Sequence, residues 1–371
     1  MPKRVLIIGG YGNFGGYIAR TLARESDLQL VIGGRSRSKA QRFAAELGAP
    51  VPAEPVSLDI TDDLSVVLAT AKPDVVIHTT GPFQHQDYGV AEACIARGCH
   101  YIDLADARGF VAGIARFDAA AKQKQILVVA GASSVPCLTA AILDDARPRF
   151  RALERVEYGI TATSQTNRGL ATAAAVLSYV GKPFTTLIDG SERIVYGWQD
   201  LHGVRYPELG RRWFGNCDIP DLALFPLRYP EIKTLRFAAG HENRLLHFGL
   251  WGLSWLERLN MLPGLDAMAP TLLKLSFLFD AFSTAKSGFH MFIDGIGRDG
   301  RPRRERLWIV ARSGHGPYIP CMPAILLAKG LARGTVTATG ARPCLDLIDL
   351  AAYRAALAGL DITFIEEGRD A

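Results

Sequence analysis

The chain has 371 residues, 49% of them hydrophobic and 21% charged, with a net charge of +5. This is the composition of a packed globular protein, and at roughly 150 residues per domain the length predicts two domains. The basic excess is mild and dispersed; its densest run, Arg298 to Arg306, contains Asp299 and Glu305 and no aromatic residue, so it reads as a solvated hairpin and no nucleic-acid partner is expected.

The stretch "RVLII" (4–8) is a short apolar run ending on glycine, as expected of a central parallel strand buried on both faces. Gly10, Gly12 and Gly15 follow in the spacing G-x-G-x-x-G and lead into the helical run "YIARTLARE". That order of strand, glycines and helix is the one a dinucleotide requires. The first glycine allows a tight turn, the second a close approach to pyrophosphate, and the third close packing of helix on strand. The pyrophosphate would rest on free N–H groups at the helix start, around Tyr11, Asn13 and Phe14. The second apolar run, "LQLVIGGR" (28–35), ends about 20 residues after Gly15, where an NAD-binding chain places a carboxylate on the ribose. Here the residues are Arg35, Ser36 and Arg37, followed by Ser38 and Lys39. A guanidinium can pair with a 2′-phosphate and a serine hydroxyl can donate to it, so the expected cofactor is NADP(H).

Alternation of strand and helix then continues. Strands are expected at 55–61, 73–83, 99–106 and 126–132, with helices between them. Such alternation over about 130 residues predicts an α/β fold built on a doubly wound parallel sheet. Ligands bind such a sheet at the carboxyl ends of its strands. Asp59 and Ile60 would therefore lie near the adenine, and Thr80, Gly81, Pro82 and Phe83 near the nicotinamide. His85, Tyr88, Tyr101, Asp103, Asp106 and Ser133 are the crevice residues able to donate a proton, and Tyr88 and Asp103 are the favoured pair.

The segments "GGYGNFGG", "GGRS", "GPFQHQDYGVAEACIARGCHYIDLAD" and "AGASSVPCLTAAILDD" resemble the saccharopine dehydrogenase-like family of NADP-binding oxidoreductases. The likeness runs on into "TNRGLATAAAVLSYVGKPF" and "YGWQDLHGVRYPELGRRWFGNCDIPDL". The resemblance implies an N-terminal Rossmann domain and a C-terminal α/β domain with an open mixed sheet, the substrate lying between them. It also implies that the helix at 318–334 packs back on the Rossmann domain. The boundaries read as 1–135 and 136–371. The implied activity is hydride transfer to or from a C=N, C=O or C=C bond of a small or lipid-like substrate. Saccharopine-forming members place a Gly-x-Asp-Pro-Gly-like stretch after the sixth strand; here Gly131-Ala132-Ser133-Ser134-Val135-Pro136 stands instead, which argues against the namesake reaction.

In the second half, "RVEYGITATS" (155–164) alternates like a half-exposed strand, and "RGLATAAAVLSYVGKP" reads as an alanine-rich helix. Further strands are expected at 192–197, 233–239, 289–296 and 305–312, with Asp299-Gly300 turning the last hairpin. Candidate pocket residues are Tyr196, Trp198, His202, Tyr206, Trp213, His290 and His315. The apolar stretch "LLHFGLWGLSWLERLNMLPGL" (245–265), with "LLKLSFLFDAF" after it, has three readings: helices buried in the domain or in a homodimer interface, a lid over an apolar pocket, or a membrane-surface helix. A non-catalytic NADP-binding scaffold, docking on a membrane or partner through 245–282, is the alternative to an enzyme.

No window reaches 18 uncharged apolar residues, so no transmembrane segment is expected, and the apolar run after "MPKR" is too short for a secretory signal. Cys94, Cys99, Cys137, Cys217, Cys321 and Cys344 form no Cys-x-x-Cys pair, pointing to reduced thiols in a cytoplasmic protein. His241 and His247 do not form a zinc-like set, and no metal is expected.

Overall fold

The computed structural model describes residues 2–163, 169–262 and 264–368. Thr166, Asn167 and Arg168 of the motif, the expected strand end at Ser164, and Pro263 within the apolar segment lie outside the described residues. The chain divides into two units, Met1–Ala141 with Pro317–Ala356, and Ile142–Gly316 with Leu357–Ala371. This differs from a single cut after residue 135, because the chain leaves the first unit and returns to it.

The first unit begins with β1 (Lys3–Ile8), α1 (Asn13–Leu22), β2 (Leu28–Gly34), α2 (Arg37–Glu46), β3 (Glu54–Ser57) and α3 (Ser65–Ala71). It continues with β4 (Val75–His78), α4 (Gly89–Arg97), β5 (His100–Asp103), α5 (Arg108–Gly113), α6 (Asp118–Gln123) and β6 (Leu127–Ala130). Val5 to Ile8, Val75 to His78 and Leu127 to Ala130 are fully buried, which is why these strands are continuous apolar runs without alternation. Several strands stop earlier than expected. β3 ends at Ser57, because Asp59 folds its carboxylate onto the Thr61 N–H (3.1 Å) and hydroxyl (3.0 Å) in a local turn. β4 ends at His78, and the expected strand residues Thr79 to Phe83 form a loop leading into a 3₁₀ turn at Phe83–His85. The expected helix from Phe110 is broken in two by a 3₁₀ turn at Ile114–Phe117.

A π-type turn at Ser134–Leu138 leads into α7 (Thr139–Ala146), and the second unit follows. Its elements are β7 (Phe150–Ala162), α8 (Leu170–Tyr179), β8 (Pro183–Ile188), β9 (Ser191–Tyr196), β10 (His202–Tyr206), β11 (Gly210–Asn216) and α9 (Asp221–Arg228). Then come β12 (Thr234–His241), α10 (Arg244–Arg258), α11 (Ala269–Ser276), β13 (Ser287–Gly297) and β14 (Pro302–Ala311). β8, β10, β11 and α9 were not expected from the sequence.

The chain closes with α12 (Tyr318–Arg333), β15 (Gly340–Pro343), α13 (Leu350–Leu357) and β16 (Ile362–Glu367). α12 packs on α1, β4 and β5, and β15 adds to β6. The first sheet is wholly parallel in the order β15-β6-β5-β4-β1-β2-β3, which contains the doubly wound order 3-2-1-4-5-6. The second sheet is mixed, β10-β11-β12-β7-β13-β14-β16, with β7 and β12 parallel and β8 and β9 attached beside β12. All six cysteines are free and buried.

Candidate dinucleotide site

The order of the first sheet reverses between β1 and β4, and the glycine loop leaves β1 at that switch point. The tight turn belongs to Gly9, a position ahead of the expected motif. Its φ is +79°, and a Cβ there would lie 2.7 and 2.8 Å from the hydroxyls of Thr79 and Thr80. Gly9 and Gly10 both donate to the Gly33 carbonyl, at 2.9 and 3.1 Å, so the loop is pinned to the end of β2. Gly15 is where helix meets loop: a Cβ there would stand 2.2 Å from the Gly9 carbonyl oxygen and 2.9 Å from the Gly10 Cα. α1 starts after Gly12 with no side-chain cap and no acid in its first turn, which leaves its leading N–H groups available to an anion.

Tyr11 reaches from this loop to the end of β2. Its ring covers Gly34, where a Cβ would lie 2.6 Å from it, and its hydroxyl accepts the Ser36 N–H at 3.0 Å. Ser36 caps α2, its hydroxyl accepting the Lys39 N–H at 3.4 Å and lying 3.1 Å from that of Ser38. Arg35 and Arg37 are exposed, and among the described residues no carboxylate pairs with either; α2 has no acid in its first turn. Asp59, whose carboxyl is held below its ordinary pKa mainly by its bonds to Thr61, is the acid whose charge Arg35 feels. Tyr11 thus joins the glycine loop to the cationic end of β2, and Ile60 is half-buried.

Across the switch point, Thr79 donates its hydroxyl to the Ile8 carbonyl at 2.9 Å. Gln86 holds the next loop by donating to the carbonyls of Thr80 (2.7 Å) and Pro82 (3.0 Å). Thr80, Gly81 and Pro82 stay half-buried at the strand ends. Phe83 is instead part of the core, its ring edge-on to His78 at 5.0 Å and tilted against Phe110 at 5.3 Å.

Tyr88 and Asp103 follow adjacent strands but occupy different environments. Tyr88 stacks on Phe110 at 4.6 Å and donates its hydroxyl to the Phe110 carbonyl at 2.9 Å; burial raises its pKa. Asp103 is fully buried. One carboxylate oxygen accepts the N–H groups of Gly131 (2.8 Å) and Ala105 (2.9 Å), while its carbonyl accepts Ala132 N–H at 2.8 Å. Burial pushes its pKa up to about 7, against the opposing effect of the Gly131 and Ala105 N–H groups and the Tyr101 hydroxyl. Asp103 therefore ties the end of β5 to the Gly131 to Ser133 turn. His78, not expected as a site residue, sits opposite Asp103 in register and places Nδ1 3.1 Å from the Tyr101 hydroxyl. Burial lowers its pKa to about 4 and keeps it neutral, and its Nε2 has no partner. Its place at the end of "VVIH" was the available sign, since a strand's last residue lies at the ligand edge. Of the other crevice candidates, Ser133 is buried in the turn, His85 is exposed, and Asp106 is exposed and accepts from Gln84 at 3.1 Å.

In the second unit, His202, Tyr206 and His290 gather around Phe214. Tyr206 and His290 share a 2.7 Å hydrogen bond, and burial lowers the His290 pKa to about 3. Tyr196 lies under Arg258, Trp198 donates to the His247 carbonyl, and Trp213 meets Phe248. His315 stands apart, accepting the Asp361 N–H.

Residues 5–129 match the family model described as saccharopine dehydrogenase NADP binding domain. A curated relative, the saccharopine dehydrogenase-like oxidoreductase of Bos taurus, is 30% identical over 117 residues, or 28% of this chain and 27% of that relative's length. The chain is similar in fold to apo saccharopine dehydrogenase (L-Glu forming) from Saccharomyces cerevisiae, with a TM-score of 0.66 and 14% identity over 98% of this chain and 100% of the other. It is similar also to amine dehydrogenase from Mycobacterium smegmatis, with a TM-score of 0.50 and 11% identity over 93% and 95% of the two chains. Residues 5–129 of the first unit are thus similar to a saccharopine dehydrogenase NADP binding domain, and the chain spans about a quarter of the length of the curated relative that it matches.

Proposed function

We propose that the protein is an NADP(H)-dependent oxidoreductase that transfers a hydride to or from a C=N, C=O or C=C bond. One observation carries this reading: an uncapped helix start behind a glycine loop that admits no Cβ at Gly15 opens onto a strand end with two unpaired arginines. The residues fit the cofactor. Gly10, Gly12 and Gly15, with the N–H groups of Asn13 and Phe14, would hold its pyrophosphate, and Arg35, Ser36 and Arg37 its 2′-phosphate. When bound, NADP(H) supplies or accepts the hydride. Thr80 and Gly81, with the loop held by Gln86, would border the reacting end. Asp103 holds its proton near neutrality and fixes the Gly131 to Ser133 turn beside it. The test is titration of the purified protein with NADPH and NADH; tighter NADPH binding is expected, and equal or absent binding of both defeats the reading.

A second reading, a nucleotide-binding scaffold without turnover, draws on the placement of the two favoured proton donors. Tyr88 donates to a backbone carbonyl and Asp103 is sealed from solvent. Turnover of any imine, ketone or enone in a substrate screen removes it.

A further inference from the structure

α10 buries polar residues and exposes large apolar ones. His247, Ser254 and Glu257 are buried and Leu250 and Leu253 half-buried beside them, while Leu245, Phe248, Trp251, Trp255 and Leu256 face outward, with Leu245 70% and Trp255 41% exposed. Beyond the helix end, Leu259 and Met261 are 63% and 65% exposed. An ordinary surface helix does the opposite.

The inward face is firmly seated. Trp198 Nε1 donates to the His247 carbonyl at 3.1 Å, and Gly181 approaches so closely that a Cβ would lie 2.5 Å from the Ser254 carbonyl and 2.8 Å from the Glu257 Cβ. Lys182 pairs with Glu257. Rotating the helix to bury its apolar side would break all three contacts. α11 shares a cluster with α10 through Leu250, Leu253, Leu265, Ala269 and Leu272, and past its end Phe277 and Leu278 are 50% and 72% exposed. Exposed large apolar residues gathered on two helices of one cluster mark an interaction surface.

The border of the face identifies the partner. Arg211 lies over Trp213, whose ring meets Phe248; Arg244 and Lys274 are exposed; Arg258 lies between Trp255 and Tyr196 and donates to Gln199 at 2.7 Å. Among the described residues no carboxylate pairs with any of these four cations; Asp266 is exposed and Asp280 half-buried in the segment. We propose that α10 and α11 dock this protein on an anionic lipid surface, the leucines and tryptophans entering the headgroup boundary and the arginines meeting lipid phosphates. Tryptophan suits that boundary because its ring is apolar and its N–H polar. A second copy would bring the same net positive border to both sides of the contact, whereas an anionic surface complements it. The proposal is independent of the cofactor reading.

Full-length protein is sedimented with phosphatidylcholine vesicles with and without phosphatidylserine. Binding is expected to the phosphatidylserine vesicles, weakened by salt, and to fall by about tenfold or more in Trp251→Gln/Trp255→Gln, each indole removed being worth at least that factor when partly buried. Both side chains are exposed, so the variant should keep the wild-type circular dichroism spectrum and nucleotide affinity. Absence of binding by the wild type, or binding that the double variant retains, overturns the proposal. So does a wild-type dimer by light scattering that the double variant dissolves, since that assigns the face to a second copy.

Discussion

Asp103→Asn should make the protein more stable above neutral pH. Asp103 is fully buried, and its carboxyl pKa is raised from 3.8 to about 7, with desolvation the main cause. A group whose folded pKa is raised contributes fully below its unfolded pKa, and that contribution is lost as pH rises through the folded pKa. At about 1.4 kcal/mol per pH unit, the wild-type protein should lose about 4 kcal/mol from this group between pH 4 and pH 8. Asparagine keeps the oxygen that accepts the Gly131 and Ala105 N–H groups. It replaces the second carboxylate oxygen, beside Tyr101, with an uncharged amide. Urea unfolding midpoints of both proteins, measured from pH 4 to pH 8 without nucleotide, should converge at the acid end and separate at the alkaline end, with Asp103→Asn the more stable. Parallel curves, or an asparagine variant less stable at pH 8, would refute the claim that a buried, proton-retaining carboxyl joins β5 to the turn after β6.

Gly15→Ala should destabilise the protein by about 1–3 kcal/mol and weaken NADPH binding, since its Cβ would stand 2.2 Å from the Gly9 carbonyl oxygen. Gly16→Ala meets the mobile end of Arg20 at 3.1 Å and should shift the thermal midpoint far less, which separates local overpacking from loss of helix glycine. Arg35→Ala/Arg37→Ala should weaken NADPH by about tenfold to a hundredfold and leave NADH nearly unchanged in fluorescence titrations, because charge-assisted bonds to phosphate contribute about 1.5–3 kcal/mol. Tyr11→Phe removes the acceptor of the Ser36 N–H and should cost about 1 kcal/mol in thermal or urea unfolding. Tyr88→Phe should lower stability by about as much through loss of the bond to the Phe110 carbonyl. Once a substrate is in hand, an altered pH profile of kcat in Tyr88→Phe would show that its hydroxyl also serves as a proton donor.

What could be read from the sequence follows from how each element is buried. β1, β4 and β6 are covered on both faces, so their runs "VLII", "VVIH" and "LVVA" announce strands without help from the rest of the chain. The cationic end of β2 was equally legible, because Arg35 and Arg37 follow directly on a strand whose end is marked by glycine. β10 and β11 were hidden because they form an edge hairpin with exposed Arg205 and Arg211 and little apolar alternation. β15, "GARP", carries a proline and becomes a strand only beside β6, more than two hundred residues earlier in the chain. Gly9 and Gly10 are alike on paper; the backbone shows which one makes the turn, since Gly9 has a φ of +79°. α10 teaches the most. Its spacing predicts an apolar stripe and a polar stripe, and burial of the apolar one is the ordinary inference. The choice is made elsewhere, by Gly181 leaving room for the Ser254 carbonyl and by Trp198 and Lys182 supplying polar partners for the opposite face. Periodicity defines a helix's two faces, but the neighbours decide which one turns inward.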